Sequence, residues 1–267
     1  MSTFIQRYND IRQTVSFFFN QLKLDKFKNK LGRKLAINLE DIISLALYKQ
    51  QNGIPTKKSI YQTFAPECSY KTLVVNLNRW YFLAAIILIL IIKINRANSH
   101  PVKHIDSTTI PVCLFKNANA HKTMKGIAKF GRSSKGTFYG LKLHIITDLK
   151  RKLLAIRFTG GNVHDQKVVI TLSKGLVGIF LADAGYASDK LAREFYREGK
   201  RLLLFQPRKN MKRLITKFQN FLYGTRVLIE LNFRALKMFY GLVTSLPRSV
   251  AGYLSNYIYS LLAYQLI

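Results

Sequence analysis

The sequence predicts an α/β fold: a mixed five-stranded sheet with helices, preceded by a helical N-terminal domain. Three observations predict it. Apolar residues recur at helical spacing through the first hundred residues, short β-branched stretches begin at Val102, and helices alternate with strands beyond Gln166. The chain has 267 residues, enough for one large domain or two small ones. A division at residues 98 and 99 is expected, with 1–98 a helical, candidate DNA-binding domain and 99–267 carrying the sheet.

In the helical part, Asn38 reads as an N-cap, with Asp41 three residues on as a weak capping box. Leu39, Ile42, Ile43, Ala46 and Leu47 then keep helical spacing until Gly53 and Pro55 stop the helix. A second helix covers Lys57 to Phe64, and a third starts at Ser69 with Lys71, Asn76, Asn78 and Arg79 on its polar side. Helix, tight turn, helix with basic and amide side chains suits a major-groove reader. The alternative is a plain bundle with a solvated basic face. The apolar run Trp80 to Ile92 is shorter than the roughly 20 residues that span a bilayer. Arg79 and Lys93 bracket it, so a buried helix and no membrane partner are expected. Asn95 to Pro101 reads as a linker.

Strands follow. Val102 to Cys113 is β-branched and short, and Leu114 to Gly136 reads as a long basic loop. From Phe138 to Asp148 the pattern alternates: Tyr139, Leu141, Leu143 and Ile145 point one way, Lys142 and His144 the other. Leu153 to Thr159 is the third strand, Gln166 to Ser173 a helix, and Gly178 to Asp183 the fourth strand. Ser188 caps a helix ending near Gly199, and Arg201 to Gln206 is the fifth strand. Three consecutive strands, then alternating helices and strands, is the order of an RNase H-like domain.

Composition narrows the function. Hydrophobic residues make up 48%, which supports a packed core. Lys and Arg number 43 against 13 Asp and Glu, a formal net charge of +30. Such a charge repels itself in the folded state and suits a polyanionic partner. Charge alone leaves a nucleic-acid enzyme and a basic structural protein equally open. Cys68 and Cys113 have no metal-ligand spacing, and MSTFIQRYND lacks the apolar core of a signal peptide, so a reduced cytoplasmic setting is expected.

In a chain this poor in acid, each carboxylate is informative. Asp106 is the only Asp or Glu between Cys68 and Thr147, and Glu230 the only one from Gly199 to the end. An Asp inside a strand is disfavoured and costly when buried unpaired. Asp183 ends the strand IFLAD, and strand ends in α/β sheets are where ligand sites form. Phosphodiester chemistry brings an attacking oxygen to an anionic phosphate. Two divalent ions about 4 Å apart, held by a few carboxylates, neutralise that charge. Asp106, Asp183 and Glu230 are therefore the candidate catalytic and metal-binding set. The alternative, that each merely pairs with a nearby Lys or Arg, is weaker for three acids than for one. Asp165 is expected to cap the helix after it, and Asp189, Glu194 and Glu198 lie on a solvated helix. His104 and His144 read as ordinary strand residues.

At these residues the chain resembles bacterial insertion-sequence transposases of the DDE class, close to the nine-eighty-two family and related to the insertion-sequence-four group. IDST at Asp106 resembles the first aspartate block and DAGY at Asp183 the second. YGLKLH and GNVHD resemble recurring connectors. YGTRVLIELNFRALK reproduces the specific Y-x2-R-x3-E-x6-K signature with Tyr223, Arg226, Glu230 and Lys237. The leader segments NLEDIISLALYK and SYKTLVVNLNR also look like that family. The resemblance implies that 99–267 is an RNase H-like DDE catalytic domain. It also implies dependence on Mg2+ or Mn2+, binding to terminal inverted repeats and target DNA, and a homo-oligomer on DNA. A nucleoid-associated location in a bacterial cytoplasm follows. A non-catalytic basic protein binding nucleic acid or a membrane, and a decayed transposase copy, are the alternatives.

Two further expectations concern DNA contacts. Lys116, Lys122, Lys125, Lys129, Arg132 and Lys135 in the basic loop are placed on DNA backbone, with Gly126, Gly131 and Gly136 keeping the loop mobile. At 100° per residue, Tyr223, Arg226, Glu230 and Lys237 fall within an arc of roughly 60° on a helix starting near Gly224, with Leu228, Leu236 and Phe239 opposite. That stripe is expected to turn Glu230 toward both aspartates and Arg226 and Lys237 toward scissile-strand phosphates.

Overall fold

The computed structural model describes residues 3–27, 34–134, 136–206 and 214–266. In chain order the helices α1 to α5 are Thr3–Leu22, Leu39–Gln51, Lys57–Phe64, Tyr70–Arg79 and Tyr81–Ala97. Strands β1 to β4 follow as Val102–Pro111, Lys129–Ser133, Gly136–Asp148 and Leu153–Gly160. Then come α6 (Gln166–Leu172), β5 (Ile179–Ala182), α7 (Asp189–Gly199) and β6 (Leu202–Phe205). Helices α8 (Lys217–Gly224), α9 (Val227–Met238) and α10 (Val250–Gln265) close the chain. The fold is mixed α/β with a helical N-terminal region.

Two compact units form. One contains residues 1–90 and 235–267, the other 91–234, and the division falls inside α5 and α9. The expected split at 98 and 99 differs from this, because the last 33 residues group with the N-terminal helices rather than with the sheet. The reason is α10. Buried Gln50 on α2 donates to Asn256 Oδ1 at 2.9 Å, and Tyr259 donates to the Leu77 carbonyl at 3.1 Å.

Within the helical unit, caps set the boundaries. Thr56 and Ser69 accept from Ser59 N and Thr72 N, so α3 and α4 start where the sequence places them. Asn38 occupies the N-cap position of α2 without a side-chain bond. Asp41 instead accepts from Arg12 at 2.6 Å and Tyr8 at 3.2 Å on α1, and that pairing replaces the expected capping box. The apolar run forms α5, with Leu83, Ala84, Ile87, Leu88, Ile91 and Ile92 buried. Among the described residues no single helix is long and apolar enough to cross a membrane. The expected linker is partly helix: α5 runs to Ala97, and Asn95 is buried with Nδ2 donating to the Leu153 carbonyl at 3.1 Å.

The sheet of the second unit has six strands, one more than expected. Its order is β2-β3-β1-β5-β6, with β4 also on β3. Strands β1, β3 and β4 are antiparallel, and β5 and β6 add in parallel, in the order of an RNase H-like fold. The extra strand β2 comes from within the basic segment and pairs with the start of β3, ahead of β4 on the same edge. Gly131 and Gly161 allow β2 and the end of β4 to meet: a Cβ on Gly131 would lie 2.3 Å from the Gly161 carbonyl. One face of the sheet packs Ile105, Ile146, Phe180, Ala182, Leu203 and Phe205 under α6 and α7. On the other face Val102 and Leu181 pack on Leu222 of α8. Both faces are thus covered, so Lys142 and His144, on the face opposite Leu141 and Leu143, are not free to solvent.

Candidate active site

Strand register brings the two aspartates together. β1 and β5 are parallel neighbours, with His104 opposite Leu181. Asp106 and Asp183 each lie two residues further on, so the period of two puts them on one face of adjacent strands, which run about 4.8 Å apart. Asp106 is half-buried within β1, and its Oδ1 accepts from Ser107 N at 2.7 Å. Asp183 follows the end of β5 and caps the short 3-10 turn Ala184–Tyr186, accepting from Ala184 N at 2.7 Å.

Arg226 meets both. Its Nη2 lies 3.3 Å from Asp106 Oδ2 and its Nη1 3.4 Å from Asp183 Oδ1. Arg226 sits in the turn between α8 and α9 and is 9% exposed. Burial pushes the Asp106 carboxyl up to about 6. Arg226 and the Ser107 N–H oppose that rise, while the charges of Asp183 and Asp165 add to it.

His104, which reads in the sequence as an ordinary strand residue, holds this turn. His104 lies on the Asp106 face of β1 and is fully buried, with Nε2 2.8 Å from Thr225 Oγ1. Thr225 Oγ1 donates to the Leu222 carbonyl at 2.7 Å, so its hydroxyl proton is committed and His104 is the Nε2–H donor. Burial first, and then the charge of Arg226, lower His104 to about 4, which keeps it neutral. Tyr186, the tyrosine of DAGY, is 3% exposed beside Ser107 and Asp106. The polar run Ser107, Thr108, Thr109 inside a strand was the available signal for such neighbours.

The expected helical stripe is divided. Tyr223 ends α8, a helix opened by a Thr216–Gln219 capping box, and donates to the Phe205 carbonyl at 2.7 Å. Arg226 lies in the turn, and α9 begins only at Val227. Glu230 is exposed on the first turn of α9, and Lys237 lies in its last turn. Leu236 is buried as expected, but Phe239 is 59% exposed. Among the described residues no three His, Cys, Asp or Glu side chains come together in a group that could hold a metal. The structure therefore joins Asp106 to Asp183 through Arg226 and leaves Glu230 outside that pair. Two carboxylates are hard oxygen donors of the kind Mg2+ or Mn2+ takes, and one or two suffice for one such ion. The pair fits one such ion by its chemistry.

The family description "Transposase DDE domain" matches residues 96–250, more than half of the 267-residue chain. The chain belongs to the DDE transposase family. Among solved structures this DDE transposase is similar to the Mos1 mariner paired end complex with Mn, at 13% identity and a TM-score of 0.27. That match covers 93% of this chain and 84% of the other. The Mos1 strand transfer complex matches at 13% identity and a TM-score of 0.27, over 93% and 83% of the two chains. A TM-score of 0.27 is too low to establish a common overall structure. No curated protein matches the sequence.

The basic segment of this transposase is more ordered than a mobile loop. It holds β2 and the turn Phe115–Asn117, and it buries Ala118, Met124 and Ala128. Gly126 lies in a positive-φ turn and Gly136 opens β3 at positive φ, whereas Gly131 lies inside β2. Lys116, Lys122, Lys125, Lys129 and Arg132 are all exposed; Lys135 lies outside the described residues. Asp165 does not cap α6 as expected. It accepts from Lys142 Nζ at 3.0 Å, with His144 Nδ1 3.8 Å away.

Proposed function

We propose that this transposase binds the terminal inverted repeats of an insertion sequence, cleaves DNA there in a metal-dependent step, and joins the freed 3′ end to target DNA. The observation that carries the reading is the meeting at Arg226 of Asp106, within β1, and Asp183, just after the end of the adjacent parallel β5. These are the two aspartates of the family-type blocks, and they lie inside the matched region.

Asp106 and Asp183 would hold the divalent ion, with Mg2+ or Mn2+ the fitting species. Such an ion, when bound, neutralises the phosphate and lowers the pKa of the attacking hydroxyl or water. Glu230, on the first turn of α9 beyond Arg226, is proposed as the third carboxylate and would support a second ion. Arg226 orients both aspartates and offers a guanidinium to the phosphate. His104 fixes the Arg226 turn through Thr225. Tyr223 and Lys237 are proposed to contact the scissile strand. Lys116, Lys122, Lys125, Lys129, Arg132 and Lys135 are proposed to contact backbone phosphates, which position DNA without reading sequence. Residues 1–98 are proposed to include the DNA-binding helices. The placement near the nine-eighty-two family, and a homo-oligomer on DNA, belong to the same proposal.

The test is incubation of the full chain with the flanking DNA of its own gene and Mg2+ or Mn2+, mapping strand breaks. Metal-dependent breaks at the repeat ends are expected. DNA binding with no break under either metal would leave a non-catalytic DNA-binding protein and sink the cleavage reading.

A further inference from the structure

Among the described residues no acid pairs with Lys49 or Lys57 of the helical unit. Lys49 lies in the last turn of α2 and Lys57 opens α3, and both are half-buried. Both line a cavity of about 20 Å³ together with Gln50, Ser255, Asn256 and Tyr259. That volume takes one water-sized atom. Their hydrogen-bond partners are neutral amides: Lys49 Nζ donates to Gln50 Oε1 at 3.2 Å, and Lys57 Nζ donates to Asn78 Oδ1.

The acids of α2 are engaged elsewhere, Asp41 with Arg12 and Tyr8 and Glu40 with Ser16. Among the described residues neither lysine has an ion pair, and no lining residue of the cavity is acidic. An amide satisfies a donor but leaves the charge uncompensated. Burial lowers Lys49 to about 8, and burial together with the charge of Lys49 lowers Lys57 to about 8. A lysine that merely snorkels keeps its ammonium in water. Lys49 instead ties its ammonium to Gln50, which is 3% exposed. Lys58 follows Lys57 in the first turn of α3, which has no acidic residue, so the local field is positive throughout.

We propose that Lys49 and Lys57 form an oxoanion site for a phosphate group, one oxygen entering the cavity between the two ammonium groups. The site is independent of the reading given to Asp106 and Asp183. Its phosphate is either a DNA backbone phosphodiester or free phosphate, which share the same chemistry.

The experiment compares the full-length wild type with the Lys49→Met, Lys57→Met double variant. Thermal unfolding is followed in chloride and in inorganic phosphate at equal ionic strength. Phosphate is expected to raise the wild-type Tm, and in chloride the double variant is expected to melt above the wild type, because the mutual repulsion is gone. In the variant the phosphate shift is expected to vanish. A purely structural pair predicts the reverse, a variant that melts lower. If the double variant does not fold, Lys49→Gln alone is compared in the same way, with Lys57→Arg as the charge-conserving control that keeps the shift.

Binding of a short duplex of arbitrary sequence then separates the two sources. A log–log salt slope shallower by about 0.9 per lost contact identifies backbone phosphate. An unchanged slope with the phosphate shift lost identifies free phosphate. Equal phosphate shifts in wild type and variant, or none in wild type, overturn the site.

Discussion

Inside the sheet-bearing unit, three cations of low exposure face carboxylates, whereas buried Lys103 donates to the carbonyls of His100 and Val177. Arg226 meets Asp106 and Asp183, Lys142 meets Asp165, and Arg201, 2% exposed, lies 3.7 Å from Glu198. Inside the helical unit, Lys49 and Lys57 face amides, and the ion pair of Arg12 with Asp41 lies nearer the surface. With only 13 acids for 43 Lys and Arg, where an acid is placed is informative. A carboxylate beside a buried cation settles the local charge within the chain. A buried cation without one stays in deficit until something anionic arrives. In the sheet-bearing unit the acids define the site; in the helical unit their absence does.

The largest expected effect tests the acid-defined side. Asp106→Asn keeps the shape of the side chain and removes the charge that would hold a cation. Cleavage of repeat-end DNA should fall to background while duplex binding changes little. Wild-type cleavage by this variant would remove Asp106 from the catalytic set, and a matching loss of binding would indicate a folding defect.

A second variant asks whether the exposed cations of the sheet unit behave like the uncompensated lysines of the helical one. Neutralising Lys116, Lys125 and Arg132 together should flatten the salt dependence of DNA binding by about 0.9 in log–log slope per lost phosphate contact. An unchanged slope would make these residues solvated surface and confine DNA-directed charge to other elements.

The Arg226 clamp is tested by Arg226→Met. Removing the guanidinium leaves Asp106 half-buried beside Asp183 with no cation between them. A loss of about 1–3 kcal/mol in unfolding free energy is expected. A variant as stable as wild type would show that the carboxylates do not depend on Arg226.

The smallest effect is a pH dependence. His144 is 1% exposed, and burial lowers it to about 4, a fall that Asp165 opposes and that Lys142 and Arg157 deepen. The folded state therefore favours the neutral ring. Its contribution is complete above the unfolded value near 6.5 and is lost as pH falls toward about 4. His144→Gln, which does not titrate but can still bond Thr159, should lose less stability between pH 7 and pH 4.5, by about 1–2 kcal/mol. Parallel acid-unfolding curves for the two proteins would show that His144 does not titrate as described.

The sequence by itself determined the local elements and the shortlist. Ser69 and Ser188 cap helices where they were read to do so, because a cap and its bond lie within three residues of each other. The strands carrying Asp106 and Asp183 were legible from β-branched runs, and the scarcity of acid marked both residues. Only the tertiary structure decided how these pieces were used. The β1–β5 pairing brought Asp106 near Asp183, Arg226 in the turn between α8 and α9 meets both, and Glu230 is exposed on α9. Asn76 and Asn78, read as candidate base readers, bond Trp80, Lys57 and Ser255 instead. Lys129–Ser133 joined the edge of β3, and α10 took its place on α2. Apart from the Asn76–Trp80 bond and the β2–β3 hairpin, which join near neighbours, these choices pair groups far apart in the chain. Periodicity and capping report on a few neighbouring residues, whereas long-range pairing is selected by burial and hydrogen-bond satisfaction over the whole fold.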